Sequence, residues 1–132
     1  MTLLVQKEVG YRFSAQPGSK DYGFFTVFLN HYYYVNYLFD VSRTSFDPSP
    51  NVDSAVISFE RKENIVDIDM LHFQKFLKQC FLQKRKKLKN NLLKEDWSNT
   101  LEILKDNGYD EIARAEDISY EVFVKIFNKL NK

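Results

Sequence analysis

The chain reads as an α/β segment followed by an all-helical one, and three observations predict it. Ser54 to Glu60 alternates apolar and polar residues, Tyr34 to Asp40 is rich in aromatic and β-branched residues, and beyond residue 69 the apolar residues recur at helical spacing. With 132 residues, 44% of them hydrophobic, there is material for one ordinary domain or two small ones.

Leu3 to Gln6 is predicted as a short buried strand, followed by a brief helix in which Val9 and Phe13 share a face and which Gly10 weakens. Ala15 to Gly23 contains Pro17-Gly18, a turn signal, and is expected to be a loop. Phe24 to Tyr33 has helical spacing with Phe25, Phe28 and Leu29 on one side, and Tyr34 to Asp40 follows as a strand. Asp53 to Glu60 is the next strand. It should run antiparallel to its predecessor, because no crossover helix fits between them.

The join between those strands is Phe46-Asp-Pro-Ser-Pro-Asn-Val-Asp-Ser-Ala-Val-Ile57. Pro48 and Pro50 fix their own φ, lack amide donors and bias Asp47 and Ser49 toward extended backbone, so the loop is stiff. Phe46, at its entrance, is either a lid on the core or a platform for a flat ligand.

Arg61 to Asp69 is charged and without period, which places a boundary between residues 1–62 and 63–132. Met70 to Lys94 is predicted as one amphipathic helix with Phe73, Leu77, Cys80, Phe81, Leu88 and Leu92 on its apolar stripe. A second helix is expected from Asp96 to Asn107, stopped by Asn107-Gly108. A third should follow an N-cap at Ser119 and carry Phe123, Ile126, Phe127 and Leu130 inward.

A net charge of +1 says little about partners, but its distribution says more. Between Met70 and Lys94 stand eight basic residues (Lys75, Lys78, Lys84, Arg85, Lys86, Lys87, Lys89, Lys94) and no acidic one. Like charges three or four residues apart repel, so an anionic counterpart such as nucleic-acid backbone is implied, the alternative being an ordinary basic surface. Lys84 falls inside the apolar arc, so its stem should pack while its head emerges toward the N-terminal segment.

The single cysteine, Cys80, lies among apolar residues and reads as a core thiol. His31 and His72 lack metal-ligand spacing, so no metal is expected. The longest apolar run is too short to span a bilayer and no secretory signal is present, so no membrane partner and a cytoplasmic location are expected.

Several segments, in order, resemble the rRNA adenine dimethyltransferases of the KsgA type. They are Leu4-Val-Gln-Lys-Glu-Val9, Pro17-Gly-Ser-Lys-Asp-Tyr-Gly23, the proline loop with its strand, Gln83-Lys-Arg-Lys86 with Asn90-Asn-Leu92, and Arg114-Ala-Glu-Asp-Ile-Ser119. The resemblance implies the last strands and helices of a Rossmann-like methyltransferase sheet (residues 1–62) followed by a small helical RNA-docking domain (63–132). It covers the whole chain, which is expected to be the C-terminal half only of a family member. Family members transfer methyl groups from S-adenosylmethionine to two adjacent adenosines near the 3′ end of small-subunit rRNA.

By this resemblance Phe46 stacks on the target adenine, Lys20 and Tyr22 lie near the active-site mouth and contact RNA, and Lys84, Arg85 and Lys86 grip RNA; the charge run adds Lys87 and Lys89 to the expected RNA contacts. Phe24 stands where relatives usually have a basic residue, and Lys84 replaces an arginine. The family's Gly-rich cofactor loop, acidic ribose-binding residue and Asn-Leu/Ile-Pro-Tyr/Phe motif have no match. S-adenosylmethionine is therefore not expected to bind this chain alone, and the isolated chain is expected to be inactive. The expected partners are the ribosomal small subunit and, along an unpaired Leu3–Gln6 edge, a second copy or the missing N-terminal half. Two rival readings are a non-catalytic rRNA-binding or ribosome-assembly module and the macrolide-resistance branch that modifies large-subunit rRNA.

Overall fold

Strands β1 (Thr2–Gln6), β2 (Tyr33–Val41) and β3 (Ser54–Arg61) form one antiparallel sheet in the order β1-β3-β2. This is a computed structural model, and it describes residues 1–63, 65 and 67–131. The predicted antiparallel pairing of the second and third strands is present, with Tyr33 opposite Arg61 and Val41 opposite Ser54. A bulge between Tyr37 and Phe39 interrupts the register. Alternation decides the buried face: Ala55, Ile57 and Phe59 of β3 are sealed, with Val5, Phe13, Leu29, Tyr33, Val35 and Tyr37 packed around them.

Helix α1 (Lys7–Ser14) lies across this face, and Gly10 is why it can. A Cβ at position 10 would sit 3.1 Å from Ile57 Cδ1, 3.2 Å from Ala55 Cβ and 3.2 Å from Tyr37 Cε2. The residue that weakens the helix locally permits its close approach to the sheet.

The expectation of a buried first strand is corrected. Leu3 and Leu4 are 41% and 52% exposed: β1 is an edge strand paired only with β3, and Leu4 points to the face away from the Ala55–Ile57–Phe59 core. Leu4, Val56 and Phe39 align across the sheet, and Phe39 is exposed too.

Helix α2 (Phe24–Tyr32) bridges two clusters of apolar side chains. Leu29 packs on the sheet cluster, while Phe24, Val27 and Phe28 enter the helical one. Phe25 and Phe28 share a side, as expected, with ring centroids 6.5 Å apart, but Phe25 is 42% exposed and the buried residues of α2 are Thr26, Val27 and His31.

The helical cluster is formed by α3 (Met70–Cys80), α4 (Lys94–Asp106) and α5 (Tyr120–Leu130) around Phe73, Leu77, Leu104, Phe123 and Ile126. Tyr22 and Val27 of the N-terminal segment are buried in it as well. Ser119 occupies the N-cap position of α5, as expected, although its side chain makes no capping bond. The boundary segment 61–69 contains residues 64 and 66, which lie outside the described residues, as does residue 132.

The single helix expected from Met70 to Lys94 is not formed. It stops at Cys80, and the chain then passes through turns into a short 3-10 helix, Leu88–Asn91, before α4. The side chain of Asn91 replaces helical bonding at this point: Gln83 N donates to its Oδ1 and its Nδ2 donates to Gln83 O, both at 3.2 Å. Leu88 is fully buried and donates its N–H to Ala113 O at 2.8 Å. Core insertion of Leu88 and repulsion along Lys84–Lys87 together outweigh continued helix.

Candidate nucleic-acid interface

Three segments far apart in sequence meet at the basic turn. Lys84 Nζ donates to the carbonyls of Lys20, at 2.7 Å, and Tyr22, at 3.2 Å. The 15–23 loop is held from the other side by Gly18 N donating to Glu116 O at 2.7 Å and by the Tyr22 hydroxyl donating to Ile118 O at 2.6 Å. Gly18 sits at φ +91°, where a side chain would be strained. Lys87 and Arg114 complete the junction as an antiparallel bridge. Pro17–Gly23, Gln83–Lys86 and Arg114–Ser119 are therefore one structural unit.

Tyr22 is 1% exposed, and burial pushes its phenol pKa well up. Its side chain is a core strut, which corrects the expectation that it touches RNA, since only its carbonyl reaches out, to Lys84. The half-buried Lys84 is spent on that contact, its head turned toward the N-terminal segment as expected although the helix that suggested it ends at Cys80. Lys20, Arg85, Lys86, Lys87 and Lys89 are exposed. A groove of about 530 Å³ beside Lys87 and Arg114 is also lined by Asp110 and Asp117, so the part of the basic turn clear of these carboxylates is 84–86.

The proline loop stands at the end of the sheet where β2 leaves and β3 begins. Phe46 is 36% exposed, which favours presentation over a lid. The Asp47–Pro48 bond is cis. Arg43 is the residue around which the loop closes. Its main-chain N–H and Nε donate to Asp53 Oδ1 at 2.9 and 3.1 Å, and Nη1 donates to Asn51 O at 2.7 Å. The Arg43 carbonyl accepts from Ser49 Oγ at 2.7 Å and from Phe46 N at 3.4 Å. These bonds, from the Arg43 main chain first, hold the Asp53 carboxyl below its usual range.

Beneath the loop, Tyr37 and Lys7 both donate to the Asp40 carboxylate, Lys7 at 3.2 Å, and lower its pKa. Lys7 is raised in turn by Asp40, and Tyr11 stacks on Tyr37 at 5.2 Å. Lys7 N donates to Asp53 O at 3.0 Å, tying the start of α1 to the end of the loop.

Lys62 and Arg43 were not among the candidates from sequence. Lys62 Nζ donates to Asn30 O and, at 2.7 Å, to the Tyr120 hydroxyl, and lies over the rings of Tyr34 and Tyr120 at 4.9 and 4.0 Å. It pins the start of α5 to the sheet end opposite the Phe46 loop. Nothing in one sequence pairs a lysine with a tyrosine 58 positions on; an arginine ten before an aspartate across two prolines was the only available hint.

His31 is buried against the rings of Tyr32 and Phe73, whereas His72 is exposed beside Asp69 at 3.5 Å. Among the described residues no helix is long and apolar enough to cross a membrane.

Comparison with known proteins adds the following. The family model for ribosomal RNA adenine dimethylase matches residues 1–132. "Ribosomal RNA small subunit methyltransferase A" of Thermotoga maritima is 43% identical over 127 residues, 96% of this chain and 42% of that protein. The protein of the same name from Ureaplasma urealyticum is 42% identical over 131 residues, 98% of this chain and 47% of the relative. The chain thus spans a little under half the length of these curated relatives. In fold it is similar to a dimethyladenosine transferase from Plasmodium falciparum, with a TM-score of 0.82, 24% identity and coverage of 98% of this chain and 56% of that one. It is also similar to the 23S rRNA methyltransferase ErmE, with a TM-score of 0.71, 21% identity and coverage of 99% and 54%. The fold is accordingly a mixed α/β methyltransferase-like one. The family match runs from the first residue to the last, as the resemblance implies, and does not bear out the expectation that the chain is the family's C-terminal half only.

Proposed function

Because the chain belongs to the ribosomal RNA adenine dimethylase family, we propose that it supplies the target-base loop and rRNA-gripping surface of a small-subunit rRNA adenine dimethyltransferase. The reaction is methyl transfer from S-adenosylmethionine to the exocyclic nitrogens of two adjacent adenosines near the rRNA 3′ end. The observation that carries this reading is the junction at Lys84, which joins three family-like segments and leaves Lys20, Arg85, Lys86, Lys87 and Lys89 facing outward.

The division of labour runs along the chain, although the helical cluster also takes in Tyr22 and Val27. Residues 1–62 present Phe46, whose half-open ring stacks on an adenine turned out of the RNA, a contact worth about 1–3 kcal/mol per base. Residues 63–132 neutralise phosphates and fix the register on the small subunit, in the cytoplasm. The glycines at 10, 18, 23 and 108 form no Gly-x-Gly turn, so the cofactor's close backbone cradle is not built from this chain's residues. S-adenosylmethionine binding then needs a further part of the relatives' length, and that part, or a second copy, covers the exposed edge of β1.

Methyl incorporation into unmethylated small subunits tests the reading. The isolated chain should give none, and activity should appear when a cofactor-binding segment from a relative is joined to it. Incorporation by the isolated chain would overturn the division of labour, and none after joining would favour a non-catalytic rRNA-binding or assembly module. The expectation of a large-subunit, macrolide-resistance enzyme draws less support, because the curated relatives carry a small-subunit name. Methylation of large-subunit rRNA instead would establish it.

A further inference from the structure

We propose that Arg43 is a positioning residue that holds the 42–53 loop closed on Asp53 and Asn51, so that Phe46 is already presented when a base arrives. The inference rests on the reading of Phe46 as the adenine platform. It starts from a deficit: Pro48 and Pro50 have no amide hydrogens, so this stretch cannot be ordered by a ladder of main-chain bonds. Arg43 supplies the missing order from both its main chain and its side chain.

The side chain does what a lysine could not. Nε reaches the Asp53 carboxylate at 3.1 Å while Nη1 reaches the Asn51 carbonyl at 2.7 Å, two acceptors fixed at once by one planar fork. The Arg43 carbonyl accepts from Ser49 on the far side of the prolines and from Phe46 itself. Asp53 is meanwhile anchored outside the loop, its carbonyl accepting from Lys7 N at 3.0 Å. Phe46 therefore hangs between two fixed points rather than at a free tip.

Arg43 and Asp53 are half-exposed, at 49% and 34%, and an ion pair in that setting adds little to global stability. The consequence is local order, with the entropy of arranging the platform removed before binding. Losing the fork should leave the fold and the basic turn intact while blunting the stacking step.

The experiment uses this chain with a small-subunit rRNA hairpin in which one of two adjacent adenosines is 2-aminopurine, whose fluorescence is quenched by stacking. Phe46→Ala, Arg43→Ala and Arg43→Lys are compared with the parent, and overall RNA affinity is followed by anisotropy. Phe46→Ala should abolish the protein-dependent quenching. Both Arg43 variants should reduce it at least threefold, with overall affinity within twofold and an unchanged melting temperature.

Amide hydrogen exchange at Thr44, Ser45 and Phe46 is the second measurement and needs no RNA: it should quicken about tenfold in both Arg43 variants, with β2 and β3 unchanged. Parent-like quenching and exchange in the Arg43 variants, alongside loss in Phe46→Ala, would overturn the positioning role and leave the Phe46 reading standing. No quenching by the parent chain, or undiminished quenching in Phe46→Ala, would overturn that reading and this inference with it.

Discussion

The hydroxyl of Tyr22 donates to the carbonyl of Ile118, 96 residues later, at 2.6 Å in a buried setting. This one bond ties the family-like 15–23 loop to the segment leading into α5, and the Tyr22 ring packs on Phe81 at 6.0 Å. Replacing Tyr22 with Phe keeps the ring and leaves the Ile118 carbonyl unpaired. We expect a loss of about 1–3 kcal/mol in urea unfolding. A variant within a few tenths of the parent would show that water replaces the phenol.

Gly10 gives a test of packing between helix and sheet. Alanine recovers about 1 kcal/mol of helix propensity but forces a methyl group against Ala55 and Ile57, where overpacking costs about 1–3 kcal/mol. The contact with the Ala55 methyl cannot relax by side-chain rotation, so Gly10→Ala should be destabilising by about 1 kcal/mol in the same assay. A stabilised variant would mean that α1 can lift from the sheet.

The charges around the proline loop predict a pH dependence with a definite sign. Asp53 and Asp40 have depressed pKa values in the fold, so their contribution is complete above the ordinary carboxylate range and disappears as pH falls through the folded values. Lys7 is raised, so its share is complete below the ordinary lysine value and fades as pH climbs through the folded one. Loop order should therefore peak between the two. In a carboxyl-carbon NMR titration, Arg43→Ala should move the Asp53 midpoint only part of the way up, because the main-chain N–H at residue 43 still donates. An unmoved midpoint would count against the guanidinium contact.

For the basic turn, Arg85→Ala combined with Lys86→Ala should weaken binding to small-subunit rRNA. It should also flatten the dependence of log affinity on log salt by about 1 per residue removed. An unchanged slope in anisotropy titrations would show that these side chains face only solvent.

What the sequence disclosed depended on how local the cause was. The alternation in Ser54 to Glu60 and the stripe Phe123, Ile126, Phe127 carry their own burial, and both elements are found where the pattern puts them. The break after Cys80 was hidden, because the apolar spacing of Phe81, Leu88 and Leu92 fits a helix equally well. What decides against it is distant: Ala113 and Arg114 receive the chain around Leu88 and turn it. Burial of Tyr22 was hidden for the same reason, since its partner lies in the last third of the chain. In the candidate site, the resemblance pointed to Phe46 and the lysines as side chains, while the bonds that hold them in place involve Arg43, Asp53 and main-chain carbonyls that no motif specifies.

Cys80, the chain's single cysteine, lies fully sealed in the helical cluster, and burial raises its thiol pKa. A thiol-reactive dye added to the native protein must wait for α3 to come away from its neighbours, so the labelling rate becomes a clock for that opening. With no second thiol to confuse the signal, a stopwatch for the helical half is already built into the natural chain.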